Sequence, residues 1–351
     1  MTNNQWMIYG AYGYTGTLIT SAAKKQGLTP ILAGRREDKL APLAQALELP
    51  YQVFALNDIN QIARQLKDVN LVLHCAGPFS QTAPPMVQAC LRSNTHYLDI
   101  TGEIAVFEYI YRLRAQAKEK NLLLCPGVGF DVVPTDCLAA TLKAVLPDAT
   151  SLKLAFDSNS RLSPGTLKTS IEGLKMGGQI RKRGVITQVP FAHKICEIPF
   201  GDQIKTAITI PWGDIATAYY TTGIPNIEVY MSIPQQYLKF FKLLNYLKFF
   251  VKMSAVQQLL KQSVLHKNGP SIEERAKTKT FLWGEVKNAQ GEEKQAHLTT
   301  ASGYEVTLHS ALGVVKKLLS EQVTLGGFYT PSQLMGSHYI TTLPGSSEII
   351  L

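Results

Sequence analysis

A stretch with three evenly spaced glycines, "WMIYGAYGYTGTLITSAAKKQG" at residues 6–27, constrains the fold of this chain more than any other segment. A short apolar run precedes Gly10, Gly13 and Gly16, and apolar residues at helical spacing follow them. Glycines are needed where a Cβ would block a tight strand-to-helix turn or the approach of a phosphate to the backbone. The segment predicts a strand, a phosphate-binding turn and a helix; the alternative is a glycine-rich turn that binds nothing.

Strand-like and helix-like segments alternate through the first 130 residues, which is typical of a parallel sheet covered by helices. Strands are predicted at 6–10, 30–36, 51–55 and 70–79, and the alternation continues through "HYLDITGE" (96–103) and "NLLLCPGVGFD" (121–131). Helices are predicted at 14–26, 37–47, 59–67, 84–93 and 105–120. The expected fold class is α/β, with a doubly wound parallel sheet of the Rossmann type.

The pattern changes near residue 150. Extended or alternating segments follow, with one helix near 165–176: "SLKLAFDSN", "KTAITIP", "DIATAYYTTG" and "IEVYMSIP". The stretch "KTFLWGEVKNAQGEEKQAHLTTASGYEV" predicts two strands joined through the turn residues Asn288–Gly291. We expect a dinucleotide-binding domain over residues 1–150 and a mixed α+β domain with an open sheet, for substrate or oligomerisation, over 151–304. The remainder, 305–351, has a predicted helix at 307–322 and is expected to pack back on the first domain.

The end of the second predicted strand indicates which dinucleotide is bound. Arg35 and Arg36 follow Gly34, about 20 residues after the glycine turn, where an acidic residue would hold a free ribose 2′-hydroxyl and an arginine accommodates a 2′-phosphate. A guanidinium pairs with a phosphate through two hydrogen bonds, whereas a carboxylate would repel it. The sequence therefore predicts NADP(H); the alternative is that both arginines lie at a solvated strand end.

The fourth predicted strand ends in Ala76, Gly77, Pro78 and Phe79, where the strand order of such a sheet reverses. The crevice at that point is the expected place for the nicotinamide half of the cofactor. Cys75, just before, has two interpretations: a nucleophile or a small buried residue. The second is favoured because no His or Asn partner is evident.

Charge and cysteine content narrow the function classes. Residues 151–267 contain 15 Lys and Arg but 6 Asp and Glu, so the whole formal net charge of +9 lies there. This excess fits an ordinary solvated surface, an anionic substrate or an anionic membrane surface. Nucleic acid is not expected, because no recognised binding motif accompanies the charge. The five cysteines and seven histidines lack metal-ligand spacing, so we expect reduced thiols in the cytoplasm and no metal.

Several motifs together resemble one family. The segments "YGAYGYTG", "LAGRREDKL", "CAGPFSQTAPPMVQACLRSNTHYLDITGE" and "PGVGFDVVPTD" are similar to the saccharopine dehydrogenase-like oxidoreductases, and most to the branch that includes trans-acting enoyl reductases. A looser likeness extends to "SPGTLKTSIEGLKMGG" and "GGFYTPSQLMG". The resemblance spans nearly the whole chain and is densest over residues 8–136. The second domain lacks the amino-acid-recognition pattern of true saccharopine dehydrogenases.

The resemblance implies an NADP-binding domain and an inserted domain that supplies the substrate cavity. The cofactor loop would consist of Gly10, Tyr12, Gly13, Tyr14, Thr15 and Gly16. Arg35 and Arg36 would contact the 2′-phosphate, and Gly77, Pro78 and Phe79 would lie beside the nicotinamide. The crevice between the domains would be lined by Tyr97, Asp99, Thr101, Glu103, Phe130, Asp131 and Asp136.

Hydride transfer needs alignment of the reactants, exclusion of water and stabilisation of developing charge. Reduction of an enoyl group also needs a proton donor, for which Tyr97, Asp99 and Asp131 are the candidates. Two structural alternatives stay open: Asp99 and Glu103 tie down loop N–H groups, and Tyr97 belongs to the core. No triad, carboxylate pair or metal-ligand set supports a hydrolase.

Residues 237–253, "YLKFFKLLNYLKFFVKM", predict a helix with a narrow cationic stripe on a wide apolar face. The stripe consists of Lys239, Lys242, Asn245, Lys248 and Lys252. The stretch is too short to span a bilayer but suits a helix lying in an anionic membrane interface. The alternative is a helix buried in the second domain or in a homodimer interface, with lysine stems that reach solvent.

The sequence therefore favours an NADPH-dependent oxidoreductase that reduces a hydrophobic, lipid- or polyketide-derived enoyl or carbonyl substrate. One alternative is a saccharopine-type amino-acid dehydrogenase, for which Arg161, Arg181 and Arg183 would have to bind substrate carboxylates. Another is a membrane-peripheral NADP-binding sensor or scaffold without turnover. Cytoplasmic localisation with membrane association is expected.

Overall fold

The computed structural model describes residues 5–158, 161–201, 203–239, 241, 243, 245–246, 253–264, 269–320 and 326–351. In these ranges the chain forms two compact units. The first consists of the residues up to Phe130 together with Thr307–Thr330, and the second of Asp131–Val306 together with Pro331–Leu351. The domain boundaries expected from the sequence stay a prediction.

Seven described strands of the first unit form one parallel sheet in the order β15-β6-β5-β4-β1-β2-β3. They are β1 (Trp6–Tyr9), β2 (Ile31–Gly34), β3 (Tyr51–Val53), β4 (Leu71–His74), β5 (His96–Asp99), β6 (Leu123–Cys125) and β15 (Gly327–Phe328). The central strands β1, β2 and β4 are buried along their whole length, as their continuous apolar runs predict. The chain reverses its direction of travel across the sheet between β1 and β4, which confirms the Rossmann-type doubly wound topology.

The connecting helices of this unit are α1 (Tyr14–Lys25), α2 (Glu37–Leu47), α3 (Ile59–Gln65), α4 (Phe79–Ser93), α5 (Ile104–Arg112) and α6 (Arg114–Glu119). Two predictions were wrong in detail. The helix predicted at 105–120 is two helices that meet at Leu113. Helix α4 begins five residues before the predicted residue 84, because Pro84 and Pro85 lie inside it rather than at its start.

The second unit contains a mixed sheet in the order β10-β11-β12-β7-β13-β14, and β8 pairs with β12 and β9. Its strands are β7 (Ser151–Ser158), β8 (Gly178–Lys182), β9 (Val185–Val189), β10 (Ile195–Phe200), β11 (Gln203–Thr209), β12 (Asn226–Ser232), β13 (Lys279–Lys287) and β14 (Glu293–Ala301). Strands β12 and β7 are parallel, and the other pairs are antiparallel. The predicted α+β sheet is thereby confirmed, including the hairpin through Asn288–Gly291.

The described helices after residue 130 are α7 (Val133–Val145), α8 (Pro164–Gly173), α9 (Asp214–Thr222), α10 (Ser254–Ser263), α11 (Ile272–Lys277), α12 (Gly303–Ser320) and α13 (Pro331–Met335). Helix α7 packs closely on β13: a Cβ on Gly284 would lie 2.7 Å from the Cδ1 of Leu142. The extended interpretation of "DIATAYYTTG" was wrong, because this segment is α9. Six of its nine residues are buried, and Gly223 ends the helix in the left-handed conformation.

The predicted basic, aromatic helix at 237–253 lies in large part outside the described residues. A short 3₁₀ turn, Gln235–Tyr237, ends at the first residue of this stretch. Tyr237 is 50% exposed and Tyr246 is 83% exposed. Among the helices of the described ranges, none combines the length and apolar character needed to cross a membrane.

Two buried aspartates lie at the start of helices in the second unit. Asp136, in the first turn of α7, accepts hydrogen bonds from the hydroxyl of Thr221 and, at 2.8 Å, from the N–H of Ser332. Asp214, in the first turn of α9, is fully buried, and the side chain of Thr135 lies close to its carboxyl group. Burial, followed by the charges of Asp136 and Asp131, raises the pKa of Asp214 well above its usual range. The folded chain therefore holds the Asp214 proton to a higher pH than the unfolded chain does.

This state of Asp214 makes stability depend on pH. The folded chain keeps a proton that the unfolded chain releases near pH 4, so raising the pH lowers the free energy of unfolding. Asp214→Asn replaces the acid by a neutral isostere, so urea unfolding should show the variant gaining stability relative to the wild type as the pH rises above about 4, by at most about 1.4 kcal/mol per pH unit. Asp148→Asn, at an exposed aspartate of the same unit, serves as the control. An Asp214→Asn difference that stays constant with pH would contradict this assignment.

Candidate functional site

The turn between β1 and α1 has the tight geometry that its glycines predict. Gly10 adopts a φ of +86°, and a Cβ there would lie 2.8 Å from the backbone nitrogen of Ala76. A Cβ on Gly16 would overlap the carbonyl oxygen of Gly10, which accepts a 3.0 Å hydrogen bond from the N–H of Gly13. Gly10 and Gly16 tolerate no side chain, so the backbone of the turn stays bare where an elongated anion would approach.

Helix α1 begins at this turn, and no N-cap side chain hydrogen-bonds its first N–H groups. Its N-cap is Gly13, and its first turn contains no acidic residue. The first N–H groups of a helix have no partner within the helix and lie at the positive end of its dipole. Tyr14, Thr15 and Gly16 supply these groups, so the start of α1 has the chemistry of a pyrophosphate site.

Helix α4 starts at the same edge of the sheet but is closed to anions. The carboxylate of Glu103 accepts hydrogen bonds of 2.7 Å from the N–H of Phe79 and 2.9 Å from the N–H of Ser80. Its negative charge already occupies the positive end of α4. Of these two helices, which follow the adjacent strands β1 and β4, α1 is therefore the one suited to bind a phosphate.

The "YLDITGE" motif forms a hydrogen-bond network at the carboxyl edge of the parallel sheet. Asp99 is fully buried, and it accepts hydrogen bonds from the Tyr97 hydroxyl at 2.7 Å, the Thr101 N–H at 3.0 Å and the Gly127 N–H at 2.8 Å. The Oγ1 of Thr101 accepts a 3.1 Å hydrogen bond from the N–H of Glu103. Through Glu103 the network reaches the start of α4, so it links the loops that follow β4, β5 and β6.

The geometry bears on the three candidate proton donors. Burial raises the pKa of Asp99 to about 6, and the three hydrogen bonds that it accepts oppose a larger rise. Burial also raises the pKa of Tyr97, whose hydroxyl donates to Asp99. These contacts favour the structural alternative for both residues. Asp131 is partly buried, belongs to the second compact unit and lies near Asp214. A catalytic role for the three residues stays a prediction.

The two arginines after β2 differ in their partners. The Arg36 guanidinium binds the carboxylate of Asp38 through two hydrogen bonds, of which Nε to Oδ1 measures 3.0 Å. Arg35 is exposed and makes no salt bridge within the described ranges. The ring of Tyr12 lies against the Cα of Gly34, where a Cβ would overlap it. Within the described ranges, Arg35 is thus a cation without an ion-pair partner at the end of β2.

The loop after β4 lies directly against that turn. Ala76 contacts Gly10, Gly77 is exposed, and Phe79 is buried as the first residue of α4. Burial raises the pKa of the Cys75 thiol, and the nearby charge of Asp99 raises it further. A thiol with a raised pKa is a poor nucleophile, so the structure favours the structural interpretation of Cys75.

The arginines considered for a substrate carboxylate have other surroundings. Arg181 is buried, donates to the carbonyls of Ile215 and Gly184 at 2.7 Å each, and stacks on the Tyr219 ring at 4.2 Å. Arg161 forms a 3.3 Å ion pair with Glu274. Arg183 is exposed in the turn between β8 and β9. Within the part of the chain that the structure describes, no group of three or more His, Cys, Asp or Glu side chains is placed to hold a metal ion.

Sequence reasoning missed two side chains that contact the candidate site. Thr82 hydrogen-bonds the carbonyls of Ala76 and Pro78, and His74 contacts Thr82. The prediction that α4 starts at 84 placed Thr82 in a loop. A hydroxyl residue within one turn of a helix that follows a buried strand was the available signal.

Comparison with known proteins agrees with this geometry. Residues 6–125 match the family model described as the saccharopine dehydrogenase NADP binding domain. The chain is 26% identical over 204 residues to a rat (Rattus norvegicus) saccharopine dehydrogenase-like oxidoreductase, covering 51% of this chain and 48% of that protein. It thus spans about half the length of that curated relative. The predicted family resemblance is confirmed, and the first unit contains a nicotinamide dinucleotide-binding domain.

Two further relatives and one structure extend the comparison. The chain is 23% identical over 337 residues to a lipid droplet localized protein of Caenorhabditis elegans, covering 81% of this chain and 78% of that protein. It is 29% identical over 140 residues to a trans-acting enoyl reductase of Mycobacterium ulcerans, covering 37% and 33%. The Saccharomyces cerevisiae saccharopine dehydrogenase (L-Glu forming) superposes with a TM-score of 0.63 at 10% identity, covering 99% of this chain and 100% of that one. This last likeness establishes a shared fold.

Proposed function

We propose that this chain, which carries the NADP-binding domain of the saccharopine dehydrogenase family over residues 6–125, is an NADPH-dependent reductase of a hydrophobic enoyl or carbonyl substrate. The observation that carries the cofactor assignment is the pairing of an uncapped α1 with an unpaired Arg35 beside it. When bound, NADPH supplies the hydride.

Each part of the cofactor has a matching group in this chain. The pyrophosphate binds at the bare turn of Gly10, Gly13 and Gly16, where the first N–H groups of α1 donate hydrogen bonds to it. Arg35 binds the 2′-phosphate, and the backbone of Ala76–Phe79 lies where the nicotinamide half is expected. The network from Asp99 to Glu103 holds this backbone in place.

The substrate class is supported more coarsely. A relative over part of the chain is a trans-acting enoyl reductase, and the second unit combines the net positive charge with exposed apolar side chains such as Leu162, Met176 and Leu259. The amino-acid dehydrogenase alternative is less well supported, because Arg181 is buried and already engaged with two carbonyls and an aromatic ring. A sensor without turnover is the second alternative.

Turnover distinguishes these activities. NADPH consumption, followed by absorbance, should occur with enoyl thioesters or enones, and it should rise with acyl chain length because each buried methylene contributes about 0.8 kcal/mol. The control panel contains amino acids with 2-oxo acids. Turnover only with that panel would support the dehydrogenase alternative, and binding of NADPH without consumption by any substrate would support a sensor.

Substitutions after β2 test the choice of cofactor. Arg35→Ala removes the unpaired cation, so NADPH affinity should fall roughly 10- to 100-fold while NADH affinity stays unchanged. Arg36→Ala is the matched control, and it should have a smaller effect because the Arg36 guanidinium is paired with Asp38. Fluorescence titration measures all affinities. Equal losses for NADPH and NADH in Arg35→Ala would refute recognition of the 2′-phosphate.

We further propose that residues 237–253 contact an anionic membrane surface. The homodimer expected from the sequence stays a prediction. Tyr246 is 83% exposed, the stretch contains four lysines, and a relative is a lipid droplet localized protein. Aromatic side chains beside cationic ones suit the interface of an anionic bilayer.

Flotation with liposomes containing anionic lipid tests this contact. The wild type should float, and Tyr246→Glu should reduce the floated fraction because it adds a negative charge to the contacting face. Ile204→Glu is the control: Ile204 is 74% exposed in β11, outside the stretch. A wild type that remains at the bottom of the gradient would refute the proposal.

A further inference from the structure

The hydroxyl group of Thr82 contacts the loop after β4 from the first turn of α4. The Oγ1 of Thr82 lies 2.6 Å from the carbonyl oxygen of Ala76 and 3.0 Å from that of Pro78. Thr82 belongs to the first turns of α4, so its side chain reaches back across the residues that join β4 to this helix. Its single proton is directed to the loop at the shorter of the two distances, toward Ala76.

The imidazole of His74 determines how that hydroxyl is oriented. Its Nε2 lies 3.0 Å from the Oγ1 of Thr82, and the ring is fully buried among Tyr9, Phe79 and Tyr97. Burial lowers the pKa of His74 to about 3, so the ring is neutral at physiological pH. Because Thr82 gives its proton to a carbonyl, Nε2–H of His74 must be the donor between the two side chains. The Nδ1 of His74 has no partner among the described groups, which is consistent with a ring held for its Nε2–H.

Ala76 is the point where this support meets the phosphate-binding turn. Its backbone nitrogen and Cβ lie so close to Gly10 that a methyl group there would approach each to 2.8 Å. A displacement of the carbonyl of Ala76 would therefore move the loop relative to the glycine turn. The Glu103 carboxylate accepts hydrogen bonds from the N–H groups of Phe79 and Ser80, whereas the Thr82 hydroxyl contacts the carbonyl of Ala76 itself. Thr82 therefore restrains the loop at Ala76.

We propose that His74 and Thr82 act as a positioning pair that fixes the Ala76–Pro78 backbone and thereby positions the nicotinamide ring. The 2′-phosphate and adenosine half bind elsewhere and do not depend on this pair. This inference rests on the proposed function, because it requires that the chain bind a nicotinamide dinucleotide. Neither residue contacts the reacting atoms in this assignment. Their effect is to limit the positions that the loop adopts.

The test compares two ligands on matched variants. Thr82→Val keeps the shape of the side chain and removes the hydroxyl, and Thr82→Ser restores it. Thr82→Val should weaken NADPH binding roughly 3- to 10-fold, the effect of losing one hydrogen bond, while binding of 2′,5′-ADP, which lacks the nicotinamide half, stays at the wild-type value. Thr82→Ser should bind both ligands like the wild type. The emission maximum of bound NADPH should shift toward that of free NADPH in Thr82→Val alone.

His74→Phe provides an independent variant, because phenylalanine fills the aromatic surroundings but cannot donate to Thr82. It should reproduce the split between the two ligands. Equal weakening of NADPH and 2′,5′-ADP in both variants, or no change in either ligand, would overturn the positioning role. Failure of the proposed function is a separate result: the wild type itself would then bind neither ligand. Thermal unfolding of each variant establishes that it is folded at the titration temperature.

Discussion

The close approach of Gly16 to the carbonyl of Gly10 is the constraint on which the site depends. No side chain fits between them, so α1 begins immediately against the end of β1. This contact places the start of the helix at the carboxyl edge of the parallel sheet, where β4 leads to Ala76 and β2 leads to Arg35. A wider turn would bring in side chains and remove the bare backbone that an anion requires.

A second interaction decides which helix serves as the anion site. Glu103 places a carboxylate on the N-terminus of α4, and it is held in turn through Thr101 and the buried Asp99. The carboxylate accepts hydrogen bonds from the N–H groups there, and its negative charge repels phosphate. The same motif thus supports the loops after three adjacent strands and leaves α1 for the ligand. This support role explains why the "YLDITGE" motif contains polar residues although its Tyr97 and Asp99 are buried away from solvent.

The sequence predicted the parallel sheet and its glycine turn because both depend on local patterns: continuous apolar strands and glycines at fixed spacing. It offered Glu103 as a residue that ties down loop N–H groups but did not identify those of Phe79 and Ser80, because Glu103 and Phe79 are separated by 24 residues and their contact requires the sheet. The start of α4 was misplaced because Pro84 and Pro85 normally mark a helix boundary. Helix α9 was taken as extended because its alternating small and β-branched residues mimic a strand, whereas burial against the second unit's core fixes it as a helix. The distinction between Arg35 and Arg36 required the position of Asp38.

The central claim is that this chain binds a dinucleotide that carries a 2′-phosphate, with its pyrophosphate on α1. Isothermal titration of the unmodified chain with NADP⁺ and with NAD⁺ at one salt concentration tests it most directly, since the two ligands differ in that phosphate alone. The account predicts that NADP⁺ binds at least about tenfold more tightly, with the preference decreasing as salt screens the exposed Arg35. Equal affinities, or tighter binding of NAD⁺, would contradict it.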